Sequence, residues 1–176
     1  MASPQACGTQ AEPQERSLLL PFRGSSAPSP LRPGYGLLVQ PPLDVAALNQ
    51  LRVSCGGLPR HPEVWERVIH QSAWHLVVKD PAGGWVGFIR ATSDRALNAN
   101  LWDLLSAPAD PSRDQVIEAL IVAALDRLRR ELSGCSISIS APSEALAALS
   151  RAGFVVDPGG IRAMGLRLVD AAPKTI

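Results

Sequence analysis

The chain has 176 residues, which suits one domain with terminal tails. It is 46% hydrophobic and 19% charged, enough apolar material for a core, and its formal net charge of +1 gives no electrostatic case for nucleic acid or an anionic membrane as partner. Cys7, Cys55 and Cys135 form no CxxC pair and read as reduced thiols, not a disulfide framework or zinc site; no apolar run approaches the roughly 20 residues of a membrane-spanning helix, so a cytoplasmic protein is expected.

Residues 1–34 are rich in Pro, Ser, Gly and Gln and read as a mobile tail. Their one apolar cluster, Ser17 to Phe22, is the place where the tail would instead add a strand to the domain. A transit segment directing the protein to the plastid stroma is the weaker alternative, because Glu12 and Glu15 count against it. From Tyr35 the pattern turns regular. GYGLLVQP predicts a strand, and Leu43 to Val53 a helix with Asp44 as N-cap and Gly56 and Gly57 as its stop. Pro62 to about Gln71 predicts a second helix, with Val64, Trp65, Val68 and Ile69 on one face.

Trp74 to Asp80 and Trp85 to Asp94, either side of a PAGG turn, predict a β-hairpin, and Ala99 to Pro108 a third antiparallel strand. A long helix follows, its apolar stripe formed by Ile117, Leu120, Ile121, Ala124, Leu125, Leu128 and Leu132, with Arg127, Arg129 and Arg130 on a solvated face. SISISA after Cys135 predicts a strand, with Cys135 packed at the core edge. Ser143 to Arg151 predicts a short helix, and FVVD with Ile161 to Asp170 closing strands. This is an α+β layout around a mixed, mostly antiparallel sheet, occupying residues 35–170, with a short C-terminal tail at 171–176.

That order, together with GFIRATSDRALNANLWDLLSAP (Gly87 to Pro108) and SRAGFVVDPGGIRAMGL (Ser150 to Leu166), resembles the plastid and cyanobacterial branch of the GNAT N-acetyltransferase superfamily over roughly Tyr35 to Leu168. The resemblance implies a V-shaped opening between the fourth and fifth strands that takes acetyl-coenzyme A. The pantetheine arm would pair with backbone at Leu104, Leu105 and Ser106, and the pyrophosphate would sit on amides at the start of the long helix, from Arg113 through Asp114, Gln115, Val116 and Ile117 to Glu118.

The family's phosphate turn reads Gln or Arg, two residues, Gly, one residue, Gly or Ala. Here it falls on SRDQVI, so Gln115 and Ile117 occupy the small positions and Arg113 stands where a further glycine is common. Ser112 and Gln115 also spell an S-x-x-Q capping box that would consume helix donors, and Asp114 sets a carboxylate against a like-charged pyrophosphate. The expectation is weakened or absent acetyl-coenzyme A binding, with Ile117 blocking the phosphates.

The family's chemistry calls for a base and for an acid to protonate the leaving thiolate, often a tyrosine where this chain has Leu149. The lone tyrosine, Tyr35, lies at the first strand and is no substitute. Asp103 is the candidate base, and pairing with an arginine such as Arg90 is its equally open structural reading. His61, His70 and His75 lack metal-ligand spacing, and Ser136, Ser138 and Ser140 form no nucleophile arrangement with a histidine. Two functions are compatible with this: acetyl transfer to an amine, or an inactive GNAT fold serving as a protein-binding or coenzyme A-sensing module. The acceptor is unspecified, and strand edges near Ile161 to Val169 would offer a homodimer contact.

Overall fold

The computed structural model describes residues 30–132 and 134–156. The N-terminal tail, the closing strands with the homodimer edge, and the second half of the Ser150 to Leu166 stretch lie outside the described residues.

The elements are β1 (Gly36–Val39), α1 (Val45–Ser54), α2 (Pro62–His70), β2 (Trp74–Lys79), β3 (Trp85–Ser93), β4 (Asn98–Ser106), α3 (Arg113–Glu131), β5 (Ser136–Ile139) and, after a 3-10 turn at Ser143–Ala145, α4 (Leu146–Arg151). Each matches the sequence expectation to within a few residues at its ends. Asp44 caps α1 as expected, its Oδ1 accepting from the Ala47 amide at 2.9 Å. Pro62 opens α2, where its missing N–H costs nothing.

The sheet runs β1-β2-β3-β4-β5 in space, antiparallel throughout except for the parallel β4–β5 pair. That parallel pair needs a crossover, which α3 supplies. The apolar stripe of α3 (Val116, Ile117, Leu120, Ile121, Ala124, Leu125, Leu128) is buried against Leu76, Val78, Ile89, Ala91, Ala99 and Leu101 on one face of the sheet. Across the sheet a smaller core joins α1 and α2 to the strands through Leu48, Leu51, Trp65, Val77, Trp85 and Phe88.

Gly87 sets how closely α3 lies on β3. A Cβ built there would stand 2.5 Å from Val116 Cγ1, 3.1 Å from Leu120 Cδ1 and 3.2 Å from Val78 Cβ. At the far end of β3, Asp94 holds the turn into β4 by accepting from the amides of Ala96, Leu97 and Asn98, and these bonds press its carboxyl below the usual range.

The arginines near the end of α3 correct one expectation. Arg129 and Arg130 are exposed as expected, but Arg127 is half-buried: its guanidinium lies 5.3 Å over the Trp74 ring and pairs with Glu131 at 2.7 Å. Cys135 sits half-buried at the start of β5, its Sγ 3.3 Å from the Ala96 carbonyl.

Candidate active site

The parallel pairing of β4 and β5 covers only Asn98 to Leu101 against Ser136 to Ile139. β5 then ends while β4 continues to Ser106, so from Trp102 onward the β5-facing edge of β4 has no strand partner among the described residues. The parting coincides with a bulge. Trp102 pairs with Arg90 and Leu105 with Phe88, leaving Asp103 and Leu104 opposite the single residue Ile89. Asp103 takes a positive φ of 51°, a left-handed conformation that a non-glycine residue adopts only under constraint. Leu104 turns into the core beneath α3, Leu105 packs toward α1, and buried Ser106 donates its hydroxyl to the Arg113 carbonyl at 3.3 Å.

Ser106 thereby connects the strand to the start of α3, where one expectation fails. No capping box forms, because Ser112 adopts φ −108°, ψ 17° instead of the extended backbone that aims a serine hydroxyl at the N3 amide. Its Oγ is buried without a partner, as are Gln115 Oε1 and Arg113 Nε. Asp110 organises the turn instead. Its Oδ1 accepts from the Ser112 amide at 2.7 Å, its carbonyl accepts from the Arg113 amide at 3.1 Å, and its carboxylate receives the Tyr35 hydroxyl at 3.1 Å.

The Val116 amide bonds to the Ser112 carbonyl, and the amides of Asp114 and Gln115 have no partner among the described residues. Ile117 is 2% exposed in the α3 core, as the stripe predicts, and it also borders the hollow beside the turn.

Beside this turn, a hollow of about 280 Å3 lies between the first turns of α3 and the α4 segment. Asp114, Gln115, Ile117, Glu118, Glu144 and Arg151 are among the residues that line it. Glu144 pairs with Arg113 at 2.5 Å and Glu118 with Arg151, whereas Asp114 is exposed and has no ion-pair partner among the described residues. The Glu144 carboxyl is held below its usual range chiefly by its own backbone N–H, against the cost of burial, with smaller help from Ser143 and Arg113. Leu149 is 3% exposed in the core and brings no proton donor to the opening.

On the opposite face of β4, Asp103 is gripped twice. Arg90 Nε donates to its Oδ2 at 2.7 Å and Arg52 Nη1 to its Oδ1 at 3.4 Å. Arg52 also donates from Nε to the Leu58 carbonyl at 2.9 Å, so one side chain ties the α1–α2 loop to the β4 bulge. Asn49 fixes the same loop: it donates to the Arg60 carbonyl, and its Oδ1 accepts from the Arg60 amide and the Trp65 indole, all within 2.9 Å.

Sequence reading missed Asn49, Arg52 and Asp110. Their partners are long-range or set by turn geometry, and the only local signal was the Asp-Pro-Ser order at Asp110, an Asx-turn former. The histidines stay apart from the opening. His61 is largely exposed and 4.0 Å from Glu63, His70 ends α2, and buried His75 lies 3.1 Å from the Pro41 carbonyl with its pKa lowered chiefly by burial. Among the described residues no group of His, Cys, Asp or Glu could hold a metal ion, and no helix is long and apolar enough to cross a membrane.

A five-stranded, mostly antiparallel sheet parted between β4 and β5, with a helix N-terminus at the parting, is the architecture of the GNAT acetyltransferases. Comparison with solved structures bears this out. A GNAT-family acetyltransferase of Streptococcus pneumoniae superposes with a TM-score of 0.60 at 16% identity, over 77% of this chain and 98% of that one. The ribosomal-protein-S18-alanine N-acetyltransferase of Escherichia coli gives 0.53 at 14% identity, over 68% and 76%. No protein-family profile matches the chain.

Among curated proteins, the chain is 29% identical over 86 residues to the uncharacterized N-acetyltransferase ycf52 of Pyropia yezoensis (49% of this chain, 48% of that protein). It is 35% identical over 82 residues to the chloroplastic GCN5-related N-acetyltransferase 2 of Arabidopsis thaliana (45% and 30%). It is 30% identical over 128 residues to the chloroplastic serotonin N-acetyltransferase 2 of Oryza sativa subsp. japonica (69% and 62%). The chain thus spans about half the length of the curated relatives it matches. Fold and sequence together support the GNAT superfamily, with plastid-type relatives.

Proposed function

We propose that the chain transfers an acetyl group from acetyl-coenzyme A to an amine. The observation that carries this reading is the start of α3, where the Asp114 and Gln115 amides are free and Ser112 Oγ and Gln115 Oε1 are buried without partners. Free N–H groups at the positive end of a helix suit a pyrophosphate, and orphaned buried polar atoms favour a ligand that satisfies them. The unpaired β4 edge at Leu104 to Ser106 suits the amide groups of a pantetheine arm. The residues present therefore fit the group. Asp114, Glu118 and Glu144 oppose it by charge, so binding relies on main-chain donors and is weaker than a glycine-rich, basic turn would give.

Bound acetyl-coenzyme A supplies an activated acyl carbon and a thiol leaving group. The chain holds the arm along β4, opens room at the bulge, and presents the acceptor from the α1–α2 side. In the transfer, the ammonium would first lose one proton to solvent, the amine nitrogen would then bond to the acyl carbon as the carbon–sulfur bond breaks, and the second nitrogen proton would pass through solvent to the thiolate, Asp103 being held by Arg52 and Arg90. Leu149 offers no acid, and a simple thiol with a pKa near 8.5 leaves without one. The cytoplasm is the expected compartment. Relatives named as chloroplastic support a plastid-type setting, with the stroma as the alternative if residues 1–34 are a transit segment.

The missing tyrosine and the doubly held Asp103 favour a second reading, a coenzyme A-binding module without transfer. Titration calorimetry with acetyl-coenzyme A and coenzyme A, followed by thiol release in the presence of amines, separates the two. Binding with amine-dependent thiol release supports transfer. Binding without release supports the module, and no binding by a folded chain refutes both.

A further inference from the structure

We infer that the α1–α2 side of the opening binds a carboxylate, so the acceptor is an amine that itself carries one, such as an amino acid. The second half of this inference rests on the acetyl-transfer reading; the first half does not.

The argument is one of charge balance. Arg52 and Arg90 share the single carboxylate of Asp103, leaving one positive charge in excess where the three side chains are only 20%, 16% and 15% exposed. Arg90 spends Nε on Asp103 and Nη1 on Ser72 Oγ, and Arg52 spends Nε on Leu58 and Nη1 on Asp103. The Nη2 of each has no hydrogen-bond partner among the described residues. Guanidinium groups with unspent donors and little exposure to solvent favour a second oxyanion, and planar carboxylates match their fork.

The position decides what that anion would be. Asp103 belongs to the β4 bulge, at the mouth of the parting between β4 and β5, so an anion held by these arginines stands beside the place of acyl transfer. A bare ammonium would meet like charge there, whereas an amine with its own carboxylate is drawn in by one group and presents the other. Trp102, 38% exposed, has its ring 5.9 Å from the Arg90 guanidinium and is anchored through Nε1 to Thr92 Oγ1. It gives the body of such an acceptor an apolar plate.

The test uses matched pairs that differ only in the carboxylate: phenylalanine against phenethylamine, and lysine against cadaverine, with acetyl-coenzyme A and the full chain. Expected is a kcat/KM at least tenfold higher for the acid of a pair, most of it in KM, reduced to near parity by Arg90→Gln and largely restored by Arg90→Lys, with circular dichroism checking the fold of each variant. Equal or reversed preference overturns the inference while leaving acetyl transfer intact. If no acceptor turns over, chemical-shift titration with N-acetylphenylalanine and N-acetylphenethylamine decides. Selective binding of the acid, lost in Arg90→Gln, upholds the anion site even as acetyl transfer falls, and no selectivity refutes it.

Discussion

Replacing Gly87 by Ala tests the contact on which the donor side depends. Gly87 pairs with Ser106 across the sheet and lies under Val116, one residue past the free Gln115 amide. Its φ is not in the left-handed region, so alanine fits the backbone there and would by itself gain about 0.4–1 kcal/mol from the unfolded chain. Space decides otherwise. The new methyl would sit 2.5 Å from Val116 Cγ1, closer than real Cβ atoms come, and Val116 is fully buried. Overpacking of this kind costs about 1–3 kcal/mol, so a net loss of roughly 1–2 kcal/mol is expected.

For a chain of this size that is a fall in Tm of about 2–8 °C, measured by calorimetry or circular dichroism. Val116→Ala alone should also destabilise, by roughly 1–2.5 kcal/mol, through lost burial and a small cavity. In the double variant the added methyl fills the space that the valine leaves, and the combined loss should fall short of the sum by about 1 kcal/mol. Gly87→Ala should also weaken coenzyme A binding, because α3 lifts from β3 and carries its first turn away from Ser106. Wild-type stability in Gly87→Ala, or strict additivity with Val116→Ala, would refute the close-approach argument.

Three more changes probe other parts of the molecule. Asp114→Asn should tighten coenzyme A about fivefold in calorimetry, since one exposed like-charge pair is worth about 1 kcal/mol in water, and should lower helix stability by about 0.3–1 kcal/mol through lost complementarity to the dipole; looser binding would contradict the repulsion. Asn49→Ala removes three hydrogen bonds from the α1–α2 loop, so acceptor KM should rise several-fold while acetyl-coenzyme A KM holds, and a reversed split would detach that loop from the acceptor. His75 is buried with its pKa below the ordinary 6.5, so the unfolded chain takes up its proton first: its contribution to stability is complete above about pH 6.5 and is lost as pH falls toward the folded value. Urea unfolding of His75→Gln, which keeps a donor for the Pro41 carbonyl, should show a flatter pH dependence across that range than the wild type.

The elements were legible because their periods are strong. The α3 stripe, the apolar runs of β2 and β3 on either side of the PAGG turn, and the Asp44 cap each rest on neighbours in sequence. The donor turn was misread where local rules competed. S-x-x-Q predicts a capping box only if the serine backbone is extended, and Asp110, two residues earlier, prevents that by taking the Ser112 and Arg113 amides itself. Ile117 had two claims on it, a place in the phosphate turn and a place in the apolar stripe. Burial of a branched aliphatic side chain anchors it in the stripe, and the stripe's position also brings it to the edge of the hollow beside the turn. Asp103 was found through its neighbourhood in LWD, but its double clamp depends on Arg52, 51 residues away, and no local pattern carries that.

The charges on the two sides of the opening bear on the reaction together. On the donor side, Asp114, Glu118 and Glu144 face Arg113 and Arg151, leaving one carboxylate in excess where a pyrophosphate would bind. On the acceptor side, Arg52 and Arg90 exceed Asp103 by one positive charge where an ammonium would arrive. Both signs are unfavourable for a simple amine acceptor and a charge-driven donor site. They become consistent if the donor is held by main-chain amides and the β4 edge, which are indifferent to side-chain charge, and the acceptor is zwitterionic, so that its carboxylate meets the arginines. A salt titration follows from this. Donor affinity should rise modestly from 50 to 300 mM NaCl as the repulsion is screened, while acceptor KM for a carboxylated amine should rise as the attraction is screened. Salt effects of the same sign on both would show that one of the two assignments is wrong.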